Sequence, residues 1–76
     1  MDLSHNNITD ITVDYFTPLE FSLTHLFLAH NLLRNASQDV FGSLQQLQWL
    51  DLSDNMIKYI EQNTFKDVNI IQVKII

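Results

Sequence analysis

At 76 residues, with nine acidic side chains against four basic ones and a formal charge of −5, the chain is at most one small domain and carries no electrostatic footprint for nucleic acid or anionic lipid. The absence of cysteine excludes disulfides and thiolate zinc sites, and one glycine and one proline leave no segment resembling a flexible linker. A single core of this size supplies only about 3–5 kcal/mol, so there is little stability in reserve.

The opening MDLSHNN has neither the basic start nor the apolar core of a signal peptide, and no apolar run reaches the length of a membrane span. Met1, Leu3, Asn6, Ile8, Ile11, Phe16 and Leu19 then set a spacing that returns. Leu23, Leu26, Leu28, Asn31, Leu33, Ala36, Phe41 and Leu44 repeat it, as do Leu47, Leu50, Leu52, Asn55, Ile57, Ile60, Phe65 and Val68. Asn31 lies 25 residues after Asn6, and Asn55 lies 24 after Asn31; Phe16, Phe41 and Phe65 keep the same two intervals. The extra residue falls between Leu19 and Leu23, beside Pro18. Ile70, Val73 and Ile75 begin a further copy, so the chain divides into repeats at about 1–22, 23–46 and 47–69 and a partial one at 70–76.

The spacing has a physical reading. Leu50 and Leu52 are two apart and share one face of a short strand, while Asp51 and Ser53 take the other. The sharp turn that follows needs donors and acceptors, and the Asn55 amide offers both; Asn6, Asn31 and Asn55 form a structural ladder. Short strands are predicted near Leu3, over Leu26–Leu28, over Leu50–Leu52 and over Val73–Ile75, parallel because a crossover of this length joins each pair. The return halves Thr12–Phe16, Ser37–Phe41 and Glu61–Phe65 are short and polar, which predicts loops or 3₁₀ turns. Phe16, Phe41 and Phe65 are expected to stack in the core, each burying about 150–250 Å². Ala36, standing where the other copies have Ile11 and Ile60, is the weak point of the packing.

The framework L-x-x-L-x-L-x-x-N-x-L at Leu47–Ile57 and its two other copies resemble the leucine-rich repeats of the 24-residue extracellular type, over the whole chain. The resemblance implies an α/β-type solenoid, with a short parallel sheet on the concave side and an irregular or 3₁₀ convex side. Terminal repeats of such solenoids normally carry a cap, and neither Met1 nor the tail NIIQVKII has one, so an internal piece of a longer repeat protein is expected. Within the class, MDLSHNNI, SLTHLFLAHN and DVFGSLQQLQWLDLSDN look like cell-surface adhesion proteins. That implies an extracellular, membrane-attached role in which the membrane is reached only through parts of a longer chain.

Strand residues alternating with the framework line the concave face, the face that curved repeat proteins use for binding. The predicted columns are Asp2, Phe27, Asp51 and Lys74; His25, Trp49 and Gln72; Ser4, Ala29 and Ser53; and His5, His30 and Asp54. His25, Phe27, His30, Trp49 and Asp51 are the candidate contacts for a protein partner, a second copy among the options, with Phe27 and Trp49 foremost as exposed aromatics. The bland reading is that these two pack on one another. His5, His30 and Asp54 tempt a metal reading, but their spacing follows from the repeat, and no metal, cofactor or catalytic residue is assigned. Ser4 beside His5 and Asp2 makes no nucleophile set, since neighbours on a strand alternate faces. The sequons Asn7-Ile8-Thr9 and Asn35-Ala36-Ser37 place candidate glycosylation sites on outer loops, directed to solvent. Two further readings stay open: a cytoplasmic leucine-rich-repeat adaptor or scaffold, if the chain is complete, and a truncated product with no independent function.

Overall fold

A computed structural model describes residues 1–12, 14–35 and 39–58, together with the backbone of residue 38 and of residues 72–74. The period-two alternation produces three short strands, β1 (His25–Phe27), β2 (Trp49–Asp51) and β3 (Gln72–Lys74). They form one parallel sheet in the order β1-β2-β3, with Leu26 opposite Leu50 and Leu50 opposite Val73.

Each strand begins and ends one residue before its predicted span. The cause is visible at Leu28, whose carbonyl accepts the side-chain amides of Asn31 at 3.1 Å and Asn55 at 2.9 Å. Once the asparagines take that carbonyl, the strand ladder stops at Phe27. The strand predicted near Leu3 is reduced to one parallel bridge, Asp2 to Phe27. Its flanking bonds run from the Phe27 N–H to the Met1 carbonyl at 2.9 Å and from the Leu3 N–H to the Phe27 carbonyl at 2.8 Å.

On the opposite side, a 3₁₀ turn spans Thr17–Leu19, just after the predicted Thr12–Phe16, with Pro18 in its opening positions where the missing N–H costs nothing. The Leu19 carbonyl then accepts the N–H groups of Ser22 at 3.1 Å and Leu23 at 2.9 Å, and this tight turn takes up the longer first interval. In the second repeat the expected loop or 3₁₀ turn is instead a single α-helical turn, α1 (Gln38–Phe41), with Asp39 in its first turn where a carboxylate suits the exposed N–H groups.

Leu26, Leu28, Leu44, Leu47, Leu50 and Leu52 are fully buried, and Phe16 and Phe41 close the core from the side of the turns. Leu3, Ile8, Ile11, Leu19 and Ile57 pack on its edge, half-buried. A cavity of about 110 Å³ remains beside Ile11, Leu33, Val40 and Phe41. Ala36, Ile60, the return segment Glu61–Phe65 and the third phenylalanine, Phe65, lie outside the described residues.

Candidate functional site

The site is built on a bend that recurs once per repeat. His5, His30 and Asp54, the residues immediately before the three ladder asparagines, adopt left-handed φ values of 60°, 56° and 55°. Such values are uncommon outside glycine but enriched in Asn, Asp and His. The bend lets each following asparagine reach back: Asn6 donates to Leu3 and Ser4, Asn31 to Leu28 and Ala29, and Asn55 to Leu52 and Ser53. The same amides also tie neighbouring repeats together. Asn31 Oδ1 accepts the Ile8 N–H at 3.1 Å, and Asn55 Oδ1 accepts the Leu33 N–H at 3.0 Å.

With the bends fixed, the strands present His25, Phe27, Trp49 and Asp51 on the face opposite the buried Leu26 and Leu50. The register sets His25 beside Trp49 and Phe27 beside Asp51. His25 is exposed, and its Nδ1 lies 3.0 Å from the Thr24 hydroxyl. Phe27 and Trp49 are half-buried, and the Trp49 Nε1 is enclosed without a hydrogen-bond partner. The structure therefore brings four of the five candidate contacts onto one surface.

The fifth, His30, sits at the end of that surface. Its imidazole stacks on that of His5, with centroids 4.4 Å apart and planes 12° from parallel, and its Nε2 lies 3.3 Å from Asp54 Oδ2. All three side chains are exposed. Among the described residues no group of three His, Asp or Glu side chains is placed to hold a metal ion.

Two features escape the alternation argument. Ala29 and Ser53, predicted on the open face, are 7% and 4% exposed. The bend folds them under, and the Ala29 N–H donates to the Ser4 hydroxyl oxygen at 3.2 Å. Asp51, meanwhile, is engaged within its own repeat: Oδ1 accepts the Ser53 N–H at 2.9 Å and the Ser53 hydroxyl at 2.6 Å. Asp2 does the same for the Ser4 N–H at 2.9 Å. The Ser4 backbone donor, and then its hydroxyl, hold the Asp2 carboxyl below its usual value. The signal was present in the sequence as Asp-Leu-Ser at 2–4 and again at 51–53. An Asp two residues before a backbone N–H at a strand end caps that end. Both sequon asparagines, Asn7 and Asn35, are exposed.

Comparisons with known proteins agree with this geometry. Chaoptin from Drosophila melanogaster is 59% identical over 51 residues, 67% of this chain and 4% of the relative. Chaoptin from Tribolium castaneum is 51% identical over 51 residues, 67% of this chain and 6% of the relative. A leucine-rich repeat and fibronectin type III domain-containing protein 1-like protein from Danio rerio is 35% identical over 60 residues, 79% of this chain and 9% of the relative. The chain thus spans a small fraction of each relative's length. No solved structure matches it. The model of the leucine rich repeat family matches residues 1–57 and again 21–73, and the chain belongs to that family.

Proposed function

We propose that this chain is a segment of an extracellular leucine-rich-repeat ectodomain whose repeats build an open solenoid, and that it recognises a protein partner through the concave face of its sheet. The observation that carries the reading is the pair of aromatics on adjacent strands, Phe27 and Trp49, both on the face turned away from the leucine core. Large aromatic side chains lose little entropy when a partner covers them and dominate binding energy in many interfaces. His25 and His30 supply an exposed polar rim. Asp51 contributes by keeping the strand end in place. The chaoptin relatives support a place on the outer side of the plasma membrane, in adhesion, within a longer anchored chain. The arrangement suits recognition, and no catalytic role is assigned to any residue.

The test displays the chain on cells that do not otherwise adhere and scores their aggregation, alone and mixed with other cells. Adhesion lost in Phe27→Ala and Trp49→Ala, and kept when exposed Arg34 is replaced by Ala, is the expected result. Adhesion unchanged by replacing both aromatics together overturns the assignment to this face. Aggregation of the displaying cells alone identifies the partner as a second copy.

A further inference from the structure

One flank of the repeats carries an unusual pairing of exposed apolar side chains with sequon asparagines. Leu32 and Met56 each follow a ladder asparagine, and they are 41% and 52% exposed. In the first repeat the same position holds Asn7, the first residue of Asn-Ile-Thr. The Leu32 N–H donates to the carbonyl of Ile8, the residue after Asn7, at 2.9 Å. Met56 lies one repeat further on, its N–H bonded to the Leu33 carbonyl at 2.8 Å. Beside it runs a groove of about 310 Å³ lined by Arg34, Asn35, Met56 and Lys58. Asn35 begins the second sequon, Asn-Ala-Ser. Exposed Met56 therefore has a glycosylation acceptor, Asn35, beside it in the groove.

We propose that Asn35 is N-glycosylated and that the first sugar of its glycan lies in the groove against Met56, between Arg34 and Lys58, with a glycan on Asn7 shielding Leu32 in the same way. An N-acetylhexosamine suits this groove. Its ring C–H face covers the Met56 side chain, while its hydroxyl and acetamido oxygens accept from the two cationic side chains at the rim. In the attachment step the Asn35 side-chain nitrogen attacks the anomeric carbon of a polyprenyl-diphosphate-linked oligosaccharide. The new C–N bond forms as the anomeric C–O bond breaks, the polyprenyl diphosphate leaves with the electron pair, and the amide loses one proton. The consequence is a division of labour: this flank is covered, and the sheet face bearing Phe27 and Trp49 stays open. The proposal rests on the extracellular part of the function proposed above.

The experiment secretes the chain from eukaryotic cells behind a cleavable leader. The intact mass gives occupancy, and peroxide oxidation of Met56 is then timed before and after enzymatic removal of the glycan from the folded protein. Asn35 occupied, with Met56 oxidising several-fold faster once the glycan is removed and Met1 unchanged, is the expected result. Ser37→Ala, which keeps the Asn35 side chain but loses the sequon, is expected to match the deglycosylated rate. An unoccupied Asn35 in the secreted chain overturns the site. An occupied Asn35 whose removal leaves the Met56 rate unchanged overturns the groove. Neither outcome touches binding through Phe27 and Trp49, and loss of that binding function leaves the glycan measurements standing.

Discussion

Asn31, only 4% exposed, accepts the N–H of Ile8 on its Oδ1 at 3.1 Å while its own amide donates to the carbonyls of Leu3, Leu28 and Ala29. Truncating it to Ala strands the Ile8 N–H, and a polar group left unsatisfied in a buried setting costs about 1–3 kcal/mol. Asn31→Asp is expected to be worse, since it removes both donors and turns a carboxylate toward three carbonyls. Asn6 holds the same place in the first repeat but is exposed, and among the described residues its side-chain amide donates to Leu3 and Ser4 of its own repeat. Asn6→Ala should cost much less. Urea titrations of the three variants check this, and equal losses at Asn6 and Asn31 would reject the ladder as the reason for the asparagine.

Leu52 has no exposed surface, and Leu32 is 41% exposed. Replacing Leu52 by Ala removes buried methyl groups and leaves a void, with a cost of about 2–5 kcal/mol. Leu32→Ala should stay within about 0.5 kcal/mol. On a core that supplies only about 3–5 kcal/mol, the first change is expected to abolish the cooperative transition seen by circular dichroism. A cooperative Leu52→Ala transition with an unshifted midpoint would contradict the shared core.

Much of this was legible from spacing. The two-residue interval between leucines marks one face of a strand, and the 24- and 25-residue intervals between asparagines mark stacked repeats; Leu26, Leu28, Leu50 and Leu52 lie buried as that predicts. What the spacing hides is where alternation ends. Leu28 keeps its side chain in the core while its carbonyl leaves the ladder for two asparagine amides, so the strand stops early and Ala29 turns inward. The engagement of Asp51 is hidden for a related reason. Period two places its side chain on the open face, and only the serine two residues on shows that the carboxylate folds back.

The Asp2 carboxyl titrates below its usual value of 3.8, chiefly because the Ser4 N–H bonds to the ionised form. A carboxyl whose folded pKa is depressed contributes stability that is fully present above its unfolded pKa and lost as pH falls through the folded one. The Ser4 amide proton should therefore shift in an NMR titration with a midpoint below 3.8. Asp2→Asn should remove that titration and leave stability at neutral pH little changed, since the group is exposed. A Ser4 shift centred above 3.8 would rule out the bond.

The bend at His30, with φ 56°, tests the backbone separately from the side chain. A left-handed conformation costs an ordinary L-residue about 1–2 kcal/mol, and Asn tolerates it best after glycine. Both His30→Asn and His30→Val lose the stack on His5 and the pairing with Asp54, so the difference between them isolates the bend. The Val variant is expected to be less stable than the Asn variant by about 1 kcal/mol or more in urea unfolding. Equal stabilities would mean that the bend relaxes at no cost and the asparagine ladder does not depend on it.

Trp49 separates folding from recognition. Its Nε1 is enclosed and unpaired, so exchanging the indole for a phenyl ring breaks no hydrogen bond. An unpaired buried donor stabilises nothing, and Trp49→Phe is expected to cost less than about 1.5 kcal/mol, as for a moderate change of shape in a packed setting. Trp49→Ala removes the ring altogether. It leaves Leu26, Leu50 and the asparagine ladder in place, so the fold should survive at reduced stability. Adhesion through the sheet face should fall by about 2 kcal/mol or more, the loss typical of a central aromatic anchor. Circular dichroism and the cell-adhesion assay read the two effects independently. A folded Trp49→Ala chain that adheres as well as the parent would remove Trp49 from the contact surface and leave Phe27 to carry it.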